Sequence, residues 1–124
     1  MYTKIMATGS YIPDIQIDNN DLIQFPKGSL QLIETKTGIK KRYHAQDGES
    51  TSDLAAAAAR TCLSEVDFDP EDLDAVIIAT SSPDRMQPPT ATRVQHLIGA
   101  RQAFAFDINA VCSGGVYAVH LADM

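Results

Sequence analysis

Two short apolar runs constrain this chain most: Asp74-Ala75-Val76-Ile77-Ile78-Ala79-Thr80 and Ala103-Phe104-Ala105-Phe106-Asp107-Ile108. Neither alternates apolar with polar residues, a pattern typical of strands covered on both faces. Between them, Pro83, Pro88 and Pro89 make a rigid loop. Thr90 can cap a helix running to about Ile98, and Gly99 stops it. Upstream, Ser50 and Asp53 fit a capping box ahead of the helix-forming alanine run Ala55 to Ala59. Leu54, Ala58 and Cys62 recur at spacing four in that helix, which directs Cys62 into the core. Downstream, Asn109-Ala110-Val111 leads into Cys112 and a final helix carrying Val116, Val119 and Leu121. The order helix, strand, helix, strand, helix predicts an α/β fold with a parallel central sheet.

The first fifty residues are less regular. Tyr2 to Tyr11 alternate loosely and read as a buried strand followed by a turn. Asn19-Asn20-Asp21 offers a cap for the short run Leu22-Ile23. Ser29 is placed to cap a second short helix through Leu32 and Ile33, ended near Gly38. Lys40 to Tyr43 reads as a short exposed strand or connector, and Asp67 to Asp72 as an acidic turn around Pro70. The last helix reaches Met124 with no Gly or Pro to end it, which reads as truncation.

Composition narrows the function classes. With 124 residues, 44% hydrophobic and 21% charged, the chain suits one globular domain with a real core. No stretch approaches the roughly 20 apolar residues that span a bilayer, and the start is unlike a secretory signal, so no membrane association and a cytoplasmic location are expected. A net charge of −6 disfavours nucleic-acid binding, which needs a basic face. Two cysteines, Cys62 and Cys112, support neither a disulfide framework nor a structural zinc site, and no metal is expected.

Asp107 to Gly115 forms a strand-to-helix junction with Cys112 at its turn. Such a turn lifts a side chain above a sheet edge, and a helix starting there aims N–H groups and a positive dipole end at the sulfur, favouring thiolate. The small residues at 113–115 allow close approach of a substrate. Position alone leaves two readings open, a nucleophile or a buried structural thiol.

Five segments carry a resemblance: "MYTKIMATGSYIP" at the start, "TKTGIKKR" at 35–42, "VIIATSSPD" at 76–84, "PPTATRVQHLIGA" at 88–100 and "AFDINAVCSGGVYA" at 105–118. In order and spacing they resemble the amino-terminal part of a β-ketoacyl-acyl carrier protein synthase III, of the thiolase-like superfamily. The resemblance implies a thiolase-like α/β fold, residues 1–124 being its amino-terminal portion with the carboxy-terminal half absent. It also implies that Cys112 is the catalytic cysteine, taking an acyl group from an acyl-coenzyme A for condensation with malonyl-acyl carrier protein. Coenzyme A enters as a substrate carrier, and no cofactor is implied. The family's His and Asn belong to its second half, so these 124 residues alone are expected to be inactive. His120 is no substitute: eight helical residues beyond Cys112 it stands about 12 Å along the axis. The family is dimeric, with the strand Ala103 to Ile108 at its cross-subunit edge, so a homodimer is implied.

Four positions depart from the family pattern. Leu32 and Lys36 stand where many members carry a Trp and an Arg that sandwich the adenine of coenzyme A; Leu has no aromatic face and Lys no planar fork. Weaker coenzyme A binding, or a different donor, is the expectation. Gln87 stands where many members have an apolar residue bounding the partner's acyl pocket, which implies altered acyl selectivity. Gly115 replaces something larger and widens the space beside Cys112. Two alternatives remain open: a non-catalytic subunit keeping the fold for dimerisation or assembly, and another synthase of the superfamily, such as a thiolase or hydroxymethylglutaryl-coenzyme A synthase.

Overall fold

The computed structural model describes residues 3–124, with the backbone alone at Lys27. The chain forms two compact units: Ile12–Glu49, and residues 3–11 with Ser50–Met124.

In the smaller unit, β1 (Ile15–Asp18) pairs antiparallel with β2 (Lys41–His44), Ile15 opposite His44 and Asp18 opposite Lys41. β2 is the short exposed strand expected there, shifted by one residue. The turn after β1 is a 3-10 turn, Asn19–Asp21, capped from outside by Asp18. The Asp18 carboxylate accepts from Asn20 N at 3.0 Å and the Asp21 carboxylate accepts from Asp18 N at 3.0 Å. Asn19, expected among the capping residues, is instead buried and pins the following connector. Its Nδ2 donates to Ile39 O at 2.7 Å, and its Oδ1 accepts from Arg42 at 2.8 Å. Helix α1 (Lys27–Thr37) starts directly after Pro26, which stands at the cap position three residues ahead of the expected Ser29. It stops at Gly38, whose φ of 72° suits a residue without Cβ.

The larger unit holds the predicted α/β order: α2 (Thr51–Ser64), β3 (Ala75–Ala79), α3 (Thr90–Ile98), β4 (Phe104–Ile108) and α4 (Gly114–Asp123). β3 and β4 are parallel, in register from Ala75–Phe104 to Ala79–Ile108, with α3 as the crossover. The Ser50–Asp53 capping box forms, Asp53 accepting from Ser50 N at 2.9 Å. Val76, Ile78 and Ala105 share one sheet face and pack with α2 and α3 around Ala56, Ala91, Val94 and Ala100. Alanines at Ala56 and Ala91 let the two helices approach closely. On the other face α4 lies over β3, and the stacked rings of Phe104 and Phe106 sit 6.1 Å apart. That face is only partly covered, since Phe104 is 63% exposed.

Two expectations fail in this unit. Residues 3–11 form no strand; Tyr2 lies outside the described residues. A strand needs a partner, and among the described residues β3 and β4 pair only with each other. The segment instead crosses α2 at Gly9, where a Cβ would lie 2.4 Å from Cys62 N and 2.5 Å from Ala58 O. Ile5 and Met6 are exposed. Cys62, expected in the core, is only half-buried: it lies at the rim of the sheet-facing core near Val76 and Ile78, and also borders Ile5 and Met6 of this segment.

Helix α4 is mostly apolar, with His120 and Asp123 as its ionisable residues. Val116, Tyr117, Val119 and Leu121 are all exposed although the helix is apolar nearly all round, a pattern of helices covered on every side. Among the described residues, no helix is long and apolar enough to cross a membrane.

Candidate active site at Cys112

The ladder between β3 and β4 runs one step past the strands, Thr80 N donating to Ile108 O at 3.0 Å. The chain then reverses within a few residues. Val111 takes a φ of 48°, and Val111–Ser113 form a 3-10 turn closed by Ser113 N donating to Ala110 O at 3.0 Å. Cys112 sits in that turn, free and exposed. Among the described residues, no side chain hydrogen-bonds its thiol. The expected strand-to-helix junction is present, but the α-helix starts two residues later than Cys112, at Gly114.

The neighbouring glycines differ. Gly114 is buried, and a Cβ there would lie 3.3 Å from Ala79 Cβ, so the helix start presses on the end of β3. Gly115 is exposed, with nothing within 4 Å of a Cβ position, so a larger side chain fits there and Gly115 leaves space open.

Asp107, an acidic residue inside an apolar strand, ties this arm down. Its carboxylate accepts from Thr90 N at 2.7 Å and Ala91 N at 2.8 Å, the first two N–H groups of α3. The cap expected from Thr90 therefore comes from β4. The Thr90 hydroxyl accepts instead from Asp84 N at 3.2 Å.

The loop before α3 is pinned by a second polar group of residues. Arg93 donates to Asp53 Oδ1 at 2.8 Å and to Ser52 Oγ at 2.7 Å, and lies 3.5 Å from Asp84 Oδ2. Asp84 Oδ1 also accepts from Ser52 N at 3.0 Å. The Ser50 hydroxyl and backbone, aided by Arg93, hold the Asp53 carboxyl below the usual carboxylate range. Burial pushes Asp84 up, but the Ser52 hydrogen bonds and Arg93 outweigh it and leave its carboxyl lowered as well.

Gln87 lies on this loop, exposed, behind a cis peptide to Pro88. With Met86, Pro88, Pro89, Phe106 and Asp107 it lines an open cleft of about 530 Å³. A glutamine there stays wet. Leu32 and Lys36 belong to α1 in the other unit, one turn apart and both exposed. The cleft of that unit is lined instead by Asn19, Gln31, Glu34 and Lys40, among others. His44, His96 and His120 are exposed on three different elements. Asp107, Val111 and Gly114 have structural roles that residue spacing did not assign. The acidic residue within an apolar run was the visible signal for Asp107.

A parallel βαβ unit with a free cysteine at the turn after its second strand defines a class. Residues 33–124 match the thiolase N-terminal domain, and the chain belongs to that family. It is 45% identical over 119 residues to a beta-ketoacyl-[acyl-carrier-protein] synthase III of Ehrlichia canis, covering 96% of this chain and 37% of that protein. It is 49% identical over 117 residues to an acetoacetyl CoA synthase of a Streptomyces species, covering 94% of this chain and 35% of the relative. The crystal structure of 3-oxoacyl-[acyl-carrier-protein] synthase III from Aquifex aeolicus superposes with a TM-score of 0.90 at 42% identity, covering 98% of this chain and 39% of the other. The chain thus spans between a third and two-fifths of the length of these relatives.

Proposed function

We propose that the chain is the amino-terminal part of an acyltransferase in which Cys112 carries the acyl group. The observation that carries the reading is the free, exposed thiol at the turn where β4 hands over to α4. The thiolate attacks the thioester carbonyl of an acyl-coenzyme A; the tetrahedral intermediate collapses and releases coenzyme A as the thiol. Malonyl-acyl carrier protein then loses CO₂. Its carbanion attacks the acyl-enzyme, forming a C–C bond and a β-ketoacyl product and returning the Cys112 thiolate. Decarboxylation needs polar groups on the malonyl thioester carbonyl, and the resemblance assigns them to a His and an Asn beyond these 124 residues. The 124 residues alone are therefore read as inactive.

The same reading places the enzyme in the cytoplasm, in fatty-acid initiation or a related specialised pathway. It acts as a homodimer, supported by the outer edge of β4, which is unpaired among the described residues. Exposed Leu32 and Lys36 offer coenzyme A neither stacking nor a planar fork, so donor binding is weak. Gln87 and Gly115 favour a polar, longer or differently shaped acyl group. The test is labelling: an intact-length form incubated with radiolabelled acyl-coenzyme A carries label on Cys112. Equal labelling of Cys112→Ala overturns the reading.

The likeness to an acetoacetyl CoA synthase favours a second reading, in which the acceptor malonyl group rides on coenzyme A and the product stays there. Offering malonyl-coenzyme A and malonyl-acyl carrier protein separately to the acylated protein decides between them by which one yields product.

A further inference from the structure

Val111 is a β-branched residue in the left-handed region, φ 48°. There Cβ crowds the backbone, and a β-branched side chain crowds it most. Asp67 is the other non-glycine residue with positive φ among the described residues, and aspartate tolerates that region through its short polar side chain. Val111 has no such relief. The residue is 72% exposed, so among the described residues side-chain packing does not hold it in place either.

What holds it is the backbone on both sides. Upstream, β4 is fixed by Asp107 on Thr90 and Ala91 and by Thr80 N on Ile108 O. Downstream, Gly114 is seated against Ala79. Both anchors rest on the same βαβ unit, and only five residues, 109–113, lie between them. The chain must turn out of the strand and into the helix within that span. Strain of this kind persists only where the surroundings over-determine it.

We propose that Val111 is a positioning residue for Cys112: its left-handed backbone, clamped between Asp107 and Gly114, sets the direction in which the thiol is presented. The proposal rests on the reading of Cys112 as acyl acceptor. It concerns the backbone at 111, not contact between the Val111 side chain and substrate.

The test is alkylation of the full chain by iodoacetamide over a pH series, with Cys112 and Cys62 quantified separately by peptide mass spectrometry. Val111→Gly keeps the left-handed turn open to the backbone and should leave the Cys112 rate and pH profile close to those of the parent. Val111→Pro forbids positive φ. It should change the Cys112 rate about fivefold or more and move its pH profile, because presentation and thiolate fraction set the rate. Cys62 and the circular dichroism spectrum should not change. If Val111→Pro unfolds the chain, Gly114→Ala displaces the downstream anchor and should alter the Cys112 profile alone. An unchanged Cys112 profile in a folded Val111→Pro or Gly114→Ala variant overturns the proposal, and so does a Val111→Gly change as large as that of Val111→Pro. Alkylation needs no acyl donor. A failed acyl-labelling experiment therefore removes the reading of Cys112 as acceptor without deciding this one.

Discussion

Asp107 Oδ2 accepts a 2.7 Å hydrogen bond from the backbone N–H of Thr90, so the one acidic residue of β4 caps helix α3 from the neighbouring strand. Asp107→Ala leaves the Thr90 and Ala91 N–H groups without this acceptor. The expected loss is about 1–2 kcal/mol, as for other lost caps, read from urea unfolding. Asp107→Asn keeps one acceptor oxygen and should lose less. A neutral Asp107→Ala would mean that water replaces the cap at no cost.

Acid should weaken the hold on the loop before α3. Asp53 and Asp84 are both lowered in the folded chain, so their stabilising effect is present above the unfolded carboxylate pKa of about 4. It is lost as the pH falls below that value and through their folded pKa. Arg93→Ala is therefore less stable than the parent at pH 7, and the gap narrows towards pH 3. Thermal melts of both proteins across this range check the sign. A gap that widens on acidification contradicts the assignment.

Gly9→Ala forces a Cβ into the backbone of α2 beside Cys62. The segment 3–11 must move off, at a cost of roughly 1–3 kcal/mol if it stays partly docked. Limited proteolysis should then cut first within residues 3–11, and Cys62 should become more accessible to alkylation.

Cys112→Ala removes an exposed side chain that makes no hydrogen bond among the described residues. Its stability should stay within about 0.5 kcal/mol of the parent by urea unfolding. That makes it a clean control for acyl labelling.

The parts legible in the sequence were those specified locally. The apolar runs of β3 and β4, the Ser50–Asp53 box, and the stops at Gly38 and Gly99 each depend on a few neighbouring residues, and each forms. Less legible were features with a partner far along the chain. The cap of α3 comes from Asp107, 17 residues beyond Thr90. Apolar residues in 3–11 suggested a strand, but no spacing rule reports whether a pairing edge is free. Cys62 sits at helical spacing with Leu54 and Ala58, yet spacing does not report that it falls at the rim of the core, partly against residues 5–7. At the candidate site, the junction around Cys112 was visible as a strand meeting small residues, and the resemblance singled out the thiol. The left-handed backbone at Val111 was not visible, because valine is among the residues least suited to it.

Gly114 and Ala79 touch where the strand end meets the helix start. The two positions behave as one shared volume, filled by a single methyl group. Enlarging either residue consumes space that the other would need, so substitutions at 79 and 114 should be epistatic. A Cβ at 114 would need the end of β3 to give by a few tenths of an ångström, and a larger residue at 79 takes away that room. The thiol two residues upstream thus inherits a size limit set on a different strand.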